Sequence, residues 1–567
     1  MGLSGALGIA SNALEVFSTG IQVAGQNIAN ANTPGYIQEQ LNVTTGPSYQ
    51  AGALVLGTGS EATGVTQQID QYLQGEIYSA NSNYSASNQL NSIYTTLQQQ
   101  LQALGSNSLS SQMNDFSAAL NNLANQPSSA TLASQAVVAG TQLASAITSL
   151  RSSIDEQRQQ ANVNVQQLTT QANSLITQIA QLNPQITQME SAGQSQSQAG
   201  ALRDQRYQDL SQLSQILPIT YTTNSDGSVT VYTGSNYLVM GQQTQQLQTV
   251  PSTNEGTGTL NVQLSVSGQQ LNANSSGSGS LIATMQGRDT VLGGFEQNLD
   301  TLTSNLISQF NQVYSSGQGT AAYSAVTSTN SVSDPTAALN QAGLAFTPQN
   351  GTFQIEVTNT VTGQTTTSTI DVNLNGAGTD STLNSLASAI NGVPNVAATV
   401  TPDGHLQINA GANYQIQFAN DSSNTLADLG INTFFTGSDS TNIGINSAVT
   451  QNPQLFASAQ GGGPSDGSNA LALSQFASNP STTLNGQSLN GYYNSIVTDI
   501  GNKASAETAM STSLNDYTQS LTAQQQQISG VSLDQEAIQL MQYQQSYTAS
   551  AKMVTTIDQL FQTLLNM

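Results

Sequence analysis

Cysteine is absent from the 567 residues and histidine occurs once, at His405. Disulfides and thiolate metal sites are therefore impossible, and histidine-based metal clusters, triads of histidines and the HExxH zinc motif are excluded with them. Charge is scarce as well: 7% of residues are charged, against about 25% in an ordinary globular chain. What charge there is has one sign, with 7 Lys+Arg against 31 Asp+Glu and a formal net charge of -24. Nucleic-acid binding needs clustered cations to neutralise phosphates, and an anionic membrane surface needs the same, so both partners are disfavoured. No apolar run approaches the roughly 20 residues of a membrane-spanning helix. Near the N-terminus there is no Lys or Arg to form a basic leader, and apolar residues are spaced rather than continuous; export, if it occurs, is expected without a cleaved signal peptide.

The deficit is filled by Ser, Thr, Asn, Gln and Gly, since only 37% of residues are hydrophobic and 5% aromatic. A polar but largely uncharged surface follows, over roughly three or four packed units for a chain of this length. Pattern is clearest at the two ends. Leu3, Leu7, Ala10, Leu14, Phe17, Ile21, Ala24, Ile28 and Ala31 alternate by four and three, as the a and d positions of a coiled coil do. A helix over residues 3–31 would be roughly 43 Å long and should end at Asn32-Thr33-Pro34-Gly35, because proline disfavours a helical residue before it. At the other end Ser532 can cap a helix, with Gln535 completing a capping box. Leu533, Ala537, Leu540, Tyr547, Ala551, Val554, Phe561 and Leu565 then follow at spacings of three, four or seven, with polar Gln544 and Asp558 in the skipped places. Each seam is narrow and flanked by Ser, Asn, Gln and Thr. Such a pair buries little by itself, and its surfaces are expected to await neighbouring subunits.

The stretch QNIANANTPGY, residues 26–36, resembles the N-terminal signature shared by rod, hook and hook-associated proteins of the bacterial flagellar axis, carried here by Asn27, Asn30, Asn32, Thr33, Pro34, Gly35 and Tyr36. Residues 529–567, SGVSLDQEAIQLMQYQQSYTASAKMVTTIDQLFQTLLNM, resemble the C-terminus of the first hook-associated protein, the FlgK family. Residues 202–217, 287–317, 429–446 and 467–473 are similar to internal segments of that family in its order, with the weakest coverage over 318–430. The chain has Asp534-Gln535-Glu536 where the family more often has consecutive acids. The resemblance implies a structural, non-enzymatic subunit that polymerises at the hook-filament junction of an extracellular flagellum. It implies as partners further copies of itself, the hook protein, the second junction protein and a cytoplasmic export chaperone that covers the C-terminal seam. It also implies termini lining an axial core, with the middle of the chain facing outward.

Between the ends, residues 41–64 read as a loop with short extended segments. Residues 67–192 are helix-compatible, with breaks at Gly105, Gln126-Pro127 and Asn183-Pro184; Leu168, Leu175, Ile179 and Leu182 recur at helical spacing. Past Pro218 the period changes to two, with a hairpin around Asp226-Gly227. A Gly/Ser linker at 275–280 leads to a helix over 281–314. Residues 353–372 alternate like strands, followed by a helix at 383–390 and strands near 396–400, 406–408 and 416–418, and a helix returns over 492–527. The expected fold is α+β and multidomain: terminal helices forming a coiled-coil-like axial part, a helical-bundle rod with β-hairpins, and an inserted outer β-rich domain. The divisions are 1–60 (axial helix and linker), 61–217 (rod), 218–280 (β-rich hairpins), 281–319 (rod helix), 320–445 (outer domain), 446–528 (returning rod) and 529–567 (axial helix).

Catalytic chemistry has little to stand on. His405 follows the turn Pro402-Asp403-Gly404 and reads as a surface residue. Neither Gly57-Thr58-Gly59 nor Gly461-Gly462-Gly463 is followed by GK[ST], so no phosphate cradle is indicated. The acids show no spacing that picks out a glycosidase pair. Asn224-Ser225-Asp226-Gly227 is a fragment of a calcium loop without the remaining ligands, and a hairpin turn accounts for it. No cofactor, metal or catalytic residue is nominated. Two other readings are another axial protein, hook protein or flagellin, and a surface adhesin or carbohydrate-binding protein suggested by the Thr/Asn/Gly-rich strands of 320–430.

Overall fold

The structure is a computed structural model that describes residues 2–51, 54–103, 108–191, 199–252, 259–271 and 278–566. The break expected at Gly105 and the first part of the 275–280 linker lie outside these residues. The chain opens with α1 (Gly2–Asn30), followed by β1 (Glu39–Thr45), β2 (Ser48–Ala51), β3 (Leu54–Gly57) and β4 (Ser60–Gln67). Helices α2 (Gln71–Ala103), α3 (Leu109–Asn125), α4 (Ala130–Ser191) and α5 (Gly200–Ile216) come next. Strands β5 (Thr220–Thr223), β6 (Val229–Thr233), β7 (Asn236–Met240), β8 (Gln243–Thr244), β9 (Leu247–Pro251), β10 (Leu260–Leu264) and β11 (Gln270–Leu271) precede α6 (Ser280–Gln286), a π-helical turn at Gly287–Leu292 and α7 (Gly293–Ser315). Then follow β12 (Ala325–Thr327), β13 (Gly351–Asn359), β14 (Thr365–Val372), α8 (Leu383–Asn391), β15 (Val396–Val400), β16 (Leu406–Ala410) and β17 (Tyr414–Ala419). The chain closes with α9 (Thr425–Leu429), β18 (Phe435–Thr436), β19 (Gly444–Ile445), α10 (Ser447–Gln451), α11 (Ser468–Ser474), α12 (Leu489–Ser529) and α13 (Leu533–Leu565). It is a mixed helix and sheet protein.

Two compact units divide these elements. The first comprises residues 1–93, 159–289 and 505–567. Its main core sets Val165, Ile176 and Ile179 of α4 and Leu210 and Leu213 of α5 against Val229, Val231 and Val239 of the β5-β6-β7-β8 sheet and Val262 of the β11-β10-β9 sheet. The expected loop at 41–64 is instead ordered: β1 pairs with β4 across a bulge at Asn42/Val43, and β2 pairs with β3 inside that hairpin. The reason is burial, because Leu41 and Val65 on one face of the ladder cover Val16 and Val23 of α1.

The break expected at Asn183-Pro184 does not occur, and α4 runs through Pro184. Proline removes one helical hydrogen bond, but here tertiary contacts hold the neighbouring turns. Ile186 is buried, and the buried Asn183 amide donates to the Val229 and Gly241 carbonyls while accepting from the Val229 N–H. The helix expected over 281–314 is interrupted by the π turn, where the buried Arg288 guanidinium donates to Asn162, the Leu260 carbonyl and Asp289. The turn at Asp226 is an Asx turn: its carboxylate accepts from the Ser228 N–H and hydroxyl, which hold it below the usual carboxylate range.

The second unit comprises residues 94–158 and 290–504. Six of the chain's 12 phenylalanines, Phe116, Phe310, Phe434, Phe435, Phe456 and Phe476, join Tyr314 in one cluster, with ring centroids 5.3 Å apart for Phe116–Phe310 and 4.9 Å for Phe434–Phe435. Arg151 of α4 bridges Asp300 at 2.9 Å and Arg158 bridges Glu296 at 2.6 Å, fastening α4 to α7. A separate core lies under the sheet of order β14-β13-β17, whose Phe353, Ile355 and Val357 alternate inward, and under α8, begun by a capping box of Thr382 and Ser385. His405 is packed at its edge rather than left on the surface, with Nδ1 2.8 Å from the Ser328 carbonyl.

Leu426, Leu429 and Ile431 belong to this β-rich core, while Phe434 and Phe435, three residues on, belong to the aromatic cluster. Removal of residues 330–420 is therefore expected to leave a folded remainder, whereas a deletion carried on to 445 strips two buried phenylalanines, each worth about 3 to 5 kcal/mol. Thermal unfolding of the two deletions checks this, the longer one being the less stable.

Candidate functional site

Helices α1 and α13 lie antiparallel, since Asn27 meets Glu536 and Gly20 meets Tyr543 seven residues further on in α13 and seven further back in α1. A Cβ on Gly20 would sit 2.9 Å from three atoms of the Tyr543 ring. Glycine is what lets the tyrosine seat against the α1 backbone. Phe17 adds a ring contact at 6.4 Å.

The faces that meet differ in part from the regular seams. On α1, Ala10 and Ala24 are buried, while Leu3, Leu14, Phe17, Ile21 and Ile28 are half-buried and Leu7 is exposed. Val16 and Val23, which are buried, belong to a second apolar row that covers the β1–β4 ladder. On α13 the side turned inward carries Glu536, Leu540, Tyr543, Val554, Ile557 and Phe561, all buried or half-buried. Ala551 is half-buried too, but Leu533, Ala537, Tyr547 and Leu565 stay exposed. Tyr543 and Ile557 are thus contact residues that the seam spacing passes over in favour of Gln544 and Asp558. A further row, Ile538, Met541, Met553, Leu560 and Leu564, is exposed along α13.

The turn after α1 is fixed by its own residues. Thr33 N–H donates to the Asn30 carbonyl, Tyr36 N–H to the Thr33 carbonyl, and Gly35 takes a left-handed conformation with φ 80°. Asn32, Thr33, Pro34 and Gly35 remain exposed and line a groove of about 1000 Å³ together with residues of α5 and of the α12–α13 connection. Gln208 of α5 donates to the Pro34 carbonyl at 2.8 Å.

Beneath the turn is a buried polar node. The Asn27 amide nitrogen donates to the Glu39 carbonyl at 2.8 Å and to Glu536 Oε1 at 2.9 Å; its oxygen accepts from the Glu39 N–H at 3.0 Å and from the Tyr36 hydroxyl at 2.8 Å. Gln38 donates a second bond to Glu536 Oε1 at 2.7 Å, and its backbone N–H reaches the Ser529 carbonyl at the end of α12. Burial, with Glu39, Asp204 and Glu536 nearby, raises the Tyr36 hydroxyl above its ordinary value. Ser532 stands at the N-cap of α13 without making the expected side-chain cap bond; Glu536, one residue past the expected Gln535, is the side chain drawn inward. Gln38, Glu39 and Glu536 are missed by sequence reasoning because a lone polar residue beside a turn carries no periodic signal. Among the described residues no group of three or more His, Cys, Asp or Glu could hold a metal ion.

Comparison with known proteins bears on the same regions. A family model described as the flagellar hook-associated protein FlgK helical domain matches residues 94–325, and one described as the flagellar basal body rod FlgEFG protein C-terminal matches residues 524–567. The chain is 27% identical to flagellar hook-associated protein 1 of Escherichia coli (strain K12) over 593 aligned positions, covering 100% of both. It is 38% identical to flagellar hook-associated protein 1 of Salmonella typhimurium over 104 residues, covering 18% of this chain and 19% of that one. The solved flagellar hook junction protein FlgK from Burkholderia pseudomallei shares its fold, with a TM-score of 0.51 and 18% identity over 80% of this chain and 100% of that chain.

Replacing Asn27 by Ala strands the Glu536 carboxylate with one amide donor, a loss of about 1 to 3 kcal/mol for a buried group. Hydrogen exchange along α13 should accelerate roughly tenfold or more while the β-rich core of the second unit is unaffected. Asn27→Asp, which sets a second carboxylate against Glu536, should open the pair further than Asn27→Ala.

Proposed function

Because the chain belongs to the flagellar hook-associated protein 1 family, we propose that it works as the family does, as a structural subunit that polymerises at the hook-filament junction and connects hook to filament. It is a part of the extracellular flagellum and assembles with other axial components. No helix among the described residues is long and apolar enough to cross a membrane.

The observation that carries the reading is the paired terminal helices with apolar residues left over. Leu7, Leu533, Tyr547 and Leu565 of the two regular seams are exposed, as is the row from Ile538 to Leu564. The helices carry few charges to oppose burial, one acidic residue in α1 and four charged residues in α13. We read these surfaces as contacts between copies, where each large apolar side chain fully covered contributes roughly 1.5 to 3 kcal/mol. The hook protein and the second junction protein are the proposed neighbours along the axis, and a cytoplasmic export chaperone is proposed to cover α13 before export.

A strain lacking the protein should make complete hooks, bear no filaments and release filament protein into the medium. Restoring a Leu560→Asp/Leu564→Asp chain separates assembly from folding, since both residues are exposed. The variant should be exported with its melting temperature unchanged yet fail to restore filaments, an uncompensated buried charge costing several kcal/mol. Normal motility with this variant would remove the exposed row from the assembly surface. Val554→Asp/Phe561→Asp, on the inward side, should instead loosen the α1–α13 pair in the monomer as well.

A further inference from the structure

Two buried carboxyl groups stand together where the β1–β4 hairpin meets the first turn of α5. Glu39 is 4% exposed and Asp204 8%. Glu39 Oε1 lies so close over Gly200, the first residue of α5, that a methyl group there would collide with it, and its Oε2 is buried with no hydrogen-bond partner. Gln67 of β4 holds the same corner, its amide nitrogen donating to Asp204 Oδ1 at 2.6 Å and to the Gly200 carbonyl at 3.2 Å. The Ile37 backbone gives Asp204 a further hydrogen bond from the turn.

No cation offsets the pair. Among the described residues neither carboxylate enters an ion pair, and Arg203, next in sequence to Asp204, is engaged by Glu190. Other titratable groups that face this spot are the Tyr36 hydroxyl from the turn, the Tyr207 hydroxyl from α5 and the Glu536 carboxylate from α13; α1 contributes the neutral Asn27 and β4 the neutral Gln67. Two ionised carboxylates cannot share a buried site without a counter-charge, so one of them must carry a proton.

We propose that Glu39 and Asp204 retain one proton between them in the folded chain, and that this proton is a pH-sensitive latch holding the β1–β4 hairpin and the turn before it against α5. Acid closes the latch and alkali loosens it. The direction agrees with the electrostatics: burial, together with the neighbouring Glu39, pushes Asp204 up to about 7, and burial raises Glu39. A carboxyl whose folded-state pKa lies above its unfolded value contributes stability in acid. That contribution is lost progressively as pH rises from the ordinary carboxylate range to about 7 for Asp204. The inference concerns the isolated chain and does not depend on what it assembles with.

The test is hydrogen exchange on the full-length protein at pH 5.5 and 8.0, expressed as protection factors so that the intrinsic pH dependence of exchange cancels. A local readout is needed because Glu296 and Asp428, pushed up by burial in the other compact unit, add pH dependence of their own to global unfolding. Peptides covering residues 36–41 and 200–207 should lose about ten- to thirtyfold in protection between the two pH values, with α8 as an internal reference that does not change alike. Asp204→Asn keeps the acceptor for Gln67 and supplies a permanent donor in place of the proton. It should hold at pH 8.0 the protection that the unaltered chain has at pH 5.5. Glu39→Gln should do the same, and it decides the matter alone if the Asp204 variant fails to fold. An unaltered chain with no local pH dependence, or a Glu39→Gln chain that loses protection as the unaltered one does, overturns the proposal.

Discussion

Everything at the ends of this chain hangs on one buried amide. Asn27 uses both its oxygen and its nitrogen, binding the β1 backbone in two directions, the Tyr36 hydroxyl and the Glu536 carboxylate. Glu536 is 1% exposed and among the described residues enters no ion pair, so the amides of Asn27 and Gln38 are what offset its burial. That requirement fixes the register of α1 on α13, because the residue one heptad back from Asn27 must then be Gly20, where Tyr543 lies. Hydrophobic spacing alone would permit a slide by a heptad; the polar node does not.

The scarcity of positive charge takes on a structural meaning from where the five arginines lie. Arg151 and Arg158 fasten α4 to α7, Arg203 binds Glu190, Arg206 donates to the Gly227 carbonyl, and Arg288 holds the π turn. None is spent on the outer faces of the terminal helices. Those faces carry mainly Ser, Gln, Thr and apolar side chains, with Glu15, Asp534, Lys552 and Asp558 as exposed charges, so covering the apolar rows would carry little desolvation cost.

Much of this was readable before the structure. Pro34 and Gly35 mark the end of α1, and the alternation over 353–372 marks two strands, because local chemistry decides both. Helix over 168–182 is equally plain from its apolar spacing. Pro184 misleads for a definite reason: a proline's local preference is overridden when Asn183 beside it is bound by β6 and by the β7–β8 turn from another part of the chain. The hairpin at 41–64 is hidden because Leu41 and Val65 have α1 as their partner, and its second apolar row, Val16 and Val23, is legible only once that partner is known. The a and d spacing predicts a helix at each end, and α1 and α13 are helices, yet spacing does not say which flank turns toward which neighbour. Glu39, Asp204 and Glu536 are unremarkable acids in a sequence that has many, and only burial distinguishes them.

The bond between Asn27 and Glu536 spans 509 positions. Loop-closure entropy grows slowly with length, so the distance costs little at equilibrium, but it dictates an order of events. Helix α1 finds the β1–β4 ladder nearby in sequence, but the face that meets α13 has no partner until nearly all of the remaining chain is present. The main cores of both compact units draw on residues that precede 536, so the polar node adds the last segment to units whose cores do not need it. A copy lacking α13 would present an open face on α1 and an unfilled place for Glu536.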